Sequence, residues 1–219
     1  MELLIEKNSH PFYPFFKRVF DIVFSLLFIL VFSPLYLIIA LLIKLESKGP
    51  IFYIGKRLGK GGKYITIYKF RTMYIDAEER LGDMLIKNPE MGKEWEIYQK
   101  LQNDPRCTRV GKFLRKTSLD EFPQFLNVLG GELSVVGPRP HYIHELERSE
   151  PSPLKKYAHL ILAVKPGITG LWQISGRSHL SFEDRVELDS LYCKKQSFFY
   201  DCSVVLKTIP LVLMSRGAI

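Results

Sequence analysis

The chain has 219 residues, with 31 Lys and Arg against 23 Asp and Glu, a formal net charge of +8. At 47% apolar and 13% aromatic it can bury one substantial core but not two independent ones, and the positive excess favours anionic partners such as phosphates, nucleic acid or an acidic lipid surface. Cys107, Cys193 and Cys202 are odd in number and lack C-x-x-C spacing, which argues against a disulfide framework or a zinc site and for a reducing, cytosolic setting.

From Ile22 to Ile43 no residue is charged, enough to cross a hydrocarbon layer of roughly 30 Å as a straight helix. The run is about twice as long as a signal-peptide core and ends in Leu41-Leu42-Ile43-Lys44 rather than in small residues, so it is expected to stay in the mature protein. A single spanning helix is one reading. Two features favour another. Basic residues flank the run on both sides, Lys17 and Arg18 before it and Lys44, Lys48, Lys56 and Arg57 after it, which places both flanks in the cytosol. Ser33-Pro34 lies at its midpoint, where Pro34 has no N–H and its ring meets the carbonyl of Leu30, while the Ser33 hydroxyl can satisfy a freed carbonyl. The pattern predicts a re-entrant helical hairpin over residues 17–48, following a tail of residues 1–16 and preceding a cytosolic domain of residues 49–219.

In that domain Ile51 to Leu58 and Lys63 to Thr72 alternate β-formers with basic residues around Gly59-Lys60-Gly61-Gly62, which predicts a β-hairpin. The glycines do not form a phosphate loop, because G-x-x-x-x-G-K-[S/T] is absent. Asp76 to Leu101, interrupted at Asn88-Pro89, predicts two surface helices. Phe182 to Tyr192 has helical spacing. Val204 to Met214 is apolar but too short to span, and reads either as a core helix or as an interfacial one with Lys207 and Arg216 toward lipid headgroups. Without regular βαβ spacing the class is α+β, a small helical and β-hairpin domain attached to a membrane helix.

Chemistry concentrates in Arg106 to Gln124. Arg109, Lys112, Arg115 and Lys116 lead into Ser118-Leu119-Asp120-Glu121 and a helix with the apolar stripe Phe122, Phe125, Leu126 and Leu129, ending at Gly130-Gly131. Ser118-x-x-Glu121 matches a capping box, although Pro123 conflicts with that register and a start at Asp120 removes the conflict. Alternatively, Asp120 beside a helix N-terminus and several cations stays ionised, as a nucleophile or magnesium ligand requires. Spacing leaves both open. In Gly137-Pro138-Arg139-Pro140 the prolines restrict where Arg139 can point, which suits capture of phosphate oxygens or simply a rigid turn. Lys69, Arg71 and Arg177 can add to an anion site. His141 and His144 lack the H-E-x-x-H arrangement and read as the start of a surface helix. G-x-S-x-G and an Asp-x-Asp metal pair are absent, and no basic-aromatic platform for nucleic acid is present.

These segments resemble the bacterial sugar transferase family, the monotopic phosphoglycosyl transferases, from about Lys17 to Gly217. The resemblance is carried by Lys17-Arg18-x-x-Asp21, Ser33-Pro34, Lys69-Phe70-Arg71-Thr72-Met73, the run Leu114 to Gln124, Val136-Gly137-Pro138-Arg139-Pro140, and Lys165-Pro166-Gly167-Ile168-Thr169-Gly170-Leu171-Trp172-Gln173. It implies that Asp120 attacks the β-phosphate of a UDP-hexose, releases UMP and holds the sugar phosphate until undecaprenyl phosphate takes it. It further implies Mg2+ at Asp120, an acid, base or positioning role for Glu121, and phosphate or nucleotide contacts from Lys69, Arg71, Arg115, Arg139, Gln173 and Arg177, with Pro138 and Pro140 shaping the pocket. The implied location is the cytosolic face of a bacterial inner membrane, among its lipids, and a homodimer is left open. A membrane-anchored basic binding module without catalysis is the competing reading. Cys107 departs from the aliphatic residue usual in the family.

Overall fold

The computed structural model describes residues 11–98, 101, 104–147, 152–177 and 180–214. Helix α1 runs Tyr13–Glu46, 34 residues or about 50 Å at the α-helical rise, with a proline in its first turn. The uncharged run is therefore the inner part of a longer helix that includes Lys17, Arg18 and Asp21. The helix is continuous through Pro34, so the expected hairpin is not seen as two separate arms. The carbonyl of Leu30, which Pro34 cannot serve, accepts instead from Ser33 Oγ at 2.8 Å. Phe28 and Phe32 before the proline and Tyr36 after it all pack on Phe122, which holds the two halves in line.

Only 11% of the most apolar 18-residue stretch of α1 is buried, so α1 is not the core helix of a soluble protein. Leu26, Leu27, Leu30, Val31, Leu37, Ile38 and Leu41 stand exposed on it, a contiguous apolar face suited to lipid. A helix of this length and composition, with its apolar face exposed, fits a membrane anchor.

Strands β1 (Phe52–Leu58) and β2 (Tyr64–Phe70) pair antiparallel as expected, from Phe52 opposite Phe70 to Leu58 opposite Tyr64. Gly61 and Gly62 take positive φ in the connecting turn, where a side chain would be strained. Helices α2 (Ala77–Lys87) and α3 (Pro89–Tyr98) break at Asn88, again as the proline predicts. The chain continues through α4 (Arg109–Thr117), α5 (Gln124–Gly130), β3 (Ser134–Val136), α6 (Ile143–Glu147), α7 (Pro153–Ile161), β4 (Gly167–Thr169), α8 (Leu171–Ser175), α9 (Phe182–Lys195) and α10 (Phe198–Leu213).

Strand β3 falls in the strand-like stretch Leu133 to Val136, and it pairs parallel with β4, whose three residues sequence periodicity does not reveal. Around them Val128, Leu133, Val136, Leu154, Val186 and Val204 close the main core from α5, β3, α7, α9 and α10. A second cluster, Ile39, Ile43, Phe70 and Leu114, seats the end of α1 on β2 and α4. Helix α10 contributes to the core through Val204, while Leu206, Lys207 and Ile209 are exposed. Arg216 lies outside the described residues.

Helix α1 lies along this body for its whole length. Tyr13 and Lys17 reach Asp201 at 2.9 and 2.6 Å. Arg18 donates to the carbonyls of Val128 and Leu129 in the last turn of α5. Asp21, itself buried, accepts from Ser134 Oγ and the Val135 N–H. At the far end Glu46 accepts from the N–H groups of Arg109 and Val110, the first turn of α4.

Candidate active site

The site begins where α4 stops. Thr108 caps its start by accepting from the Gly111 N–H, and Ser118 ends it in the left-handed region at φ 58°. Leu119–Glu121 then form a single tight turn, and α5 begins at Gln124 behind Pro123. This corrects both helix starts considered for Ser118 and Asp120. Pro123 has no N–H to give a preceding turn, so the helix starts after it. The capping box is not formed either: the Ser118 side chain caps nothing, and the Glu121 carboxylate turns to Lys69.

Lys69 projects from β2 and places Nζ 2.7 Å from Glu121 Oε1 and 3.8 Å from Asp120 Oδ2. Burial pushes the Asp120 carboxyl up to about 6, with Lys69 and Arg115 drawing it down and Glu121 pushing it further up. Burial also acts on Glu121, but the Lys69 charge and hydrogen bond outweigh it and hold that carboxyl below its usual range. Both carboxylates are thus ionised at neutral pH, next to a lysine whose own ammonium they stabilise. Asp120 is the more basic of the two and the less tightly engaged.

Asn127 fixes this geometry, and sequence inspection missed it. Its side chain accepts from the Tyr68 N–H at 2.9 Å and donates to the Thr66 carbonyl and to Glu132, riveting α5 to the strand that carries Lys69. A buried asparagine in an apolar helix carries no motif that marks it. Gly111 was missed for the same reason: a Cβ there would stand 1.9 Å from the Thr72 carbonyl oxygen.

Of the expected phosphate ligands, Arg115 donates through Nε to Thr72 Oγ1 at 2.9 Å and acts electrostatically on Asp120. Arg139 and Arg177 act on Glu121 in the same way. The Arg139 guanidinium lies 5.5 Å from the ring centre of Trp172, and the Arg139 main-chain N–H donates to Asp189. The carbonyl of Pro138 accepts from the Gly167 N–H, Pro140 is half-buried beside Arg139, and Gln173 Nε2 donates to the Ile168 carbonyl. Arg71 departs from expectation. Its buried guanidinium donates to the carbonyls of Ser47 and Lys48 and to Ser47 Oγ, so it ties down the exit of α1 instead of lining the anion site.

His141 is also corrected. It does not start a surface helix but is buried to 1% exposure between Glu145 and Asp189.

Among the described residues no group of three or more His, Cys, Asp and Glu side chains converges as a metal cage. Glu121 Oε1 is taken by Lys69, while Asp120 is held only at ion-pair distance. That donor set suits an ion completed by substrate phosphates, the way magnesium is commonly held, and not a self-sufficient protein site.

A model of the bacterial sugar transferase family matches residues 12–215, a span containing every element from α1 to α10. The chain belongs to the bacterial sugar transferase family. It is 46% identical to an exopolysaccharide production protein, ExoY, of Rhizobium meliloti, over 92% of this chain and 87% of that protein. It is 44% identical to an undecaprenyl-phosphate galactose phosphotransferase of Salmonella typhimurium, over 93% of this chain and 42% of that protein. It is 42% identical to a UDP-glucose:undecaprenyl-phosphate glucose-1-phosphate transferase of Klebsiella pneumoniae, over 89% of this chain and 39% of that protein. This bacterial sugar transferase therefore spans about two fifths of the larger relatives and most of the smaller one. Membership makes it an enzyme, a phosphoglycosyl transferase, and removes the non-catalytic binding module from consideration.

Proposed function

We propose that this bacterial sugar transferase moves a hexose 1-phosphate from a UDP-hexose to undecaprenyl phosphate, an opening membrane step in assembling an exopolysaccharide, capsule or O-antigen. The observation that carries the reading is the position of the carboxylate pair. Its turn sits against the middle of the membrane helix, where Tyr36 donates to the carbonyl of Phe122, the residue after Glu121. A water-soluble nucleotide sugar and a lipid-borne phosphate can both approach that point.

In the proposed sequence an Asp120 oxygen attacks the β-phosphorus. The bond from that phosphorus to the bridging oxygen breaks, UMP leaves with the electron pair, and the sugar phosphate remains as a mixed anhydride on Asp120. An oxygen of undecaprenyl phosphate then attacks the same phosphorus, and the Asp120 carboxylate departs unchanged. Burial with only a long contact to Lys69 leaves Asp120 basic enough to attack. Lys69 compensates the pair's charge, Glu121 orients Lys69, and Arg115, Arg139 and Arg177 offset the charge of the diphosphate. Asp120 would hold Mg2+ together with the substrate's phosphates, which supplies further charge neutralisation.

Both ends of α1 contact the same folded body, at Asp201 and at Arg109. That supports a re-entrant course with both flanks on the cytosolic face of the inner membrane, because a spanning course would draw the domain into lipid.

Asp120→Asn in detergent-purified protein is expected to abolish UMP release from UDP-hexoses. Unchanged turnover refutes the nucleophile assignment, and UDP in place of UMP as product refutes phosphosugar transfer.

A further inference from the structure

A second cluster of buried charges lies outside the carboxylate pair, beneath the loop from Gly137 to Tyr142. His141 is 1% exposed and Asp189, on α9, is fully buried. His141 Nδ1 lies 3.0 Å from Glu145 Oε2, and Nε2 lies 3.3 Å from Asp189 Oδ2. The same Asp189 oxygen accepts from the Arg139 N–H at 3.1 Å. Glu145 Oε2 also accepts from the Tyr142 N–H.

The loop is held from every side. The Gly137 N–H donates to the Thr169 carbonyl, the Pro138 carbonyl accepts from Gly167, and the His141 carbonyl accepts from the Leu58 N–H on β1. The guanidinium of Arg57, also on β1, lies 3.4 Å from the ring centre of Tyr142. Buried ionic groups cost several kcal/mol unless they are paired, and nothing in the transfer chemistry touches His141 or Asp189 directly. Glu145 hydrogen-bonds one imidazole nitrogen and Asp189 lies at ion-pair distance from the other, and among the described residues no group of three such side chains converges to hold a metal.

We propose that Asp189, His141 and Glu145 are positioning residues for Arg139: Asp189 fixes its main chain, and the imidazolium between the carboxylates keeps Glu145 from capturing its guanidinium. This rests on the reading of Arg139 as a phosphate ligand. The Arg139 charge reaches Glu145 as well as Glu121, and its main-chain N–H is anchored on the Asp189 oxygen that faces His141. With His141 protonated, Glu145 is already satisfied and the arginine is released to the diphosphate. With His141 neutral, Glu145 and Asp189 lose their cation and compete for Arg139. The groups against the imidazole are Glu145 on α6 and Asp189 on α9, and the positive charges of Arg57 on β1, Arg185 on α9 and Arg139 of the loop reach those carboxylates. The edge of Phe182 closes the remaining side.

The test is a double-mutant cycle on the full chain in detergent, read as affinity for UDP by calorimetry. Arg139→Ala and Asp189→Asn are each expected to weaken UDP binding, by about 10-fold for a displaced phosphate ligand, whereas Glu145→Gln removes the competing carboxylate and is expected to keep UDP binding. Asp189→Asn and Glu145→Gln should have no further effect once Arg139 is alanine. Should Asp189→Asn not fold, Glu145→Gln carries the test, its side chain being 13% exposed at the rim of the cluster. UDP affinity should also fall as pH rises through the titration of His141, and in Glu145→Gln that fall should be reduced or lost. Equal losses in the Arg139→Ala background, or a pH profile unchanged in Glu145→Gln, overturn the positioning role and leave the transfer reaction standing. Full UDP affinity in Arg139→Ala overturns instead the phosphate role on which the proposal rests.

Discussion

Tyr36 and Phe122 stand 86 residues apart in the chain, yet the Tyr36 hydroxyl donates to the Phe122 carbonyl at 2.5 Å. Through this bond the midpoint of α1 is joined to the turn that carries Asp120 and Glu121. Phe28 and Phe32 press on the Phe122 ring from the other side of Pro34. The membrane helix is thus part of the wall of the site. Tyr36→Phe keeps the ring packing and removes the bond, with an expected loss of about 1 kcal/mol in stability. Thermal unfolding in detergent measures that loss, and UMP release should slow several-fold if the turn shifts; wild-type values for both would separate helix from site.

Lys69→Met leaves Asp120 and Glu121 facing each other without their nearest cation. UMP release should fall by roughly 100-fold, the scale at which loss of one electrostatic donor in a site is felt. A fall under threefold in steady-state rate would remove Lys69 from the machinery.

Gly111→Ala separates tertiary packing from local preference. In an isolated helix the change should stabilise by about 1 kcal/mol. Here the new Cβ would stand 1.9 Å from a backbone oxygen of Thr72, whose side chain holds Arg115. A net destabilisation of about 1–3 kcal/mol is therefore expected, together with reduced activity, and a raised melting temperature would refute the close approach.

The Glu145–His141–Asp189 cluster also makes stability depend on pH. The two carboxylates raise the folded-state value of His141 above its ordinary 6.5 despite burial, so its contribution is full below that value and is lost as pH rises through the higher one. Glu145 is held down at about 2 against an ordinary 4.5, so its contribution, of order 3 kcal/mol, is present above 4.5 and lost toward pH 2. Burial raises Asp189, which therefore loses stability with rising pH in the same sense as His141. Melting temperature against pH should peak between the ordinary values of Glu145 and His141, about 4.5 and 6.5, and His141→Gln should flatten the alkaline side. An alkaline limb unchanged by that substitution would rule out His141 as its source.

Cysteines introduced at Pro11 and Lys48, in a background lacking Cys107, Cys193 and Cys202, flank α1 on either side. Both should react only with reagent on the cytosolic face. Reaction of the two from opposite faces would establish a spanning helix.

What the sequence determined by itself is whatever depends on neighbours in the chain. The uncharged run, the hairpin around Gly59 to Gly62, the break at Asn88-Pro89 and the motif around Asp120 all follow from local sterics and short-range pattern, and the family resemblance followed from them. Tertiary structure decided the rest. Ser118 and Glu121 have the spacing of a cap, but Lys69, 52 residues away, takes the carboxylate, because an ammonium buried beside it is a stronger partner than a backbone N–H. Arg71 was indistinguishable from Lys69 in a run of alternating basic residues, yet it serves the exit of α1, where the carbonyls of Ser47 and Lys48 just past the helix accept from it. His141 looked like a surface residue because nothing local announces burial; its partner Asp189 arrives from α9, 48 positions on. Pairings of this kind are set by which elements pack together, since a charge removed from water must find its counter-charge wherever the fold supplies one.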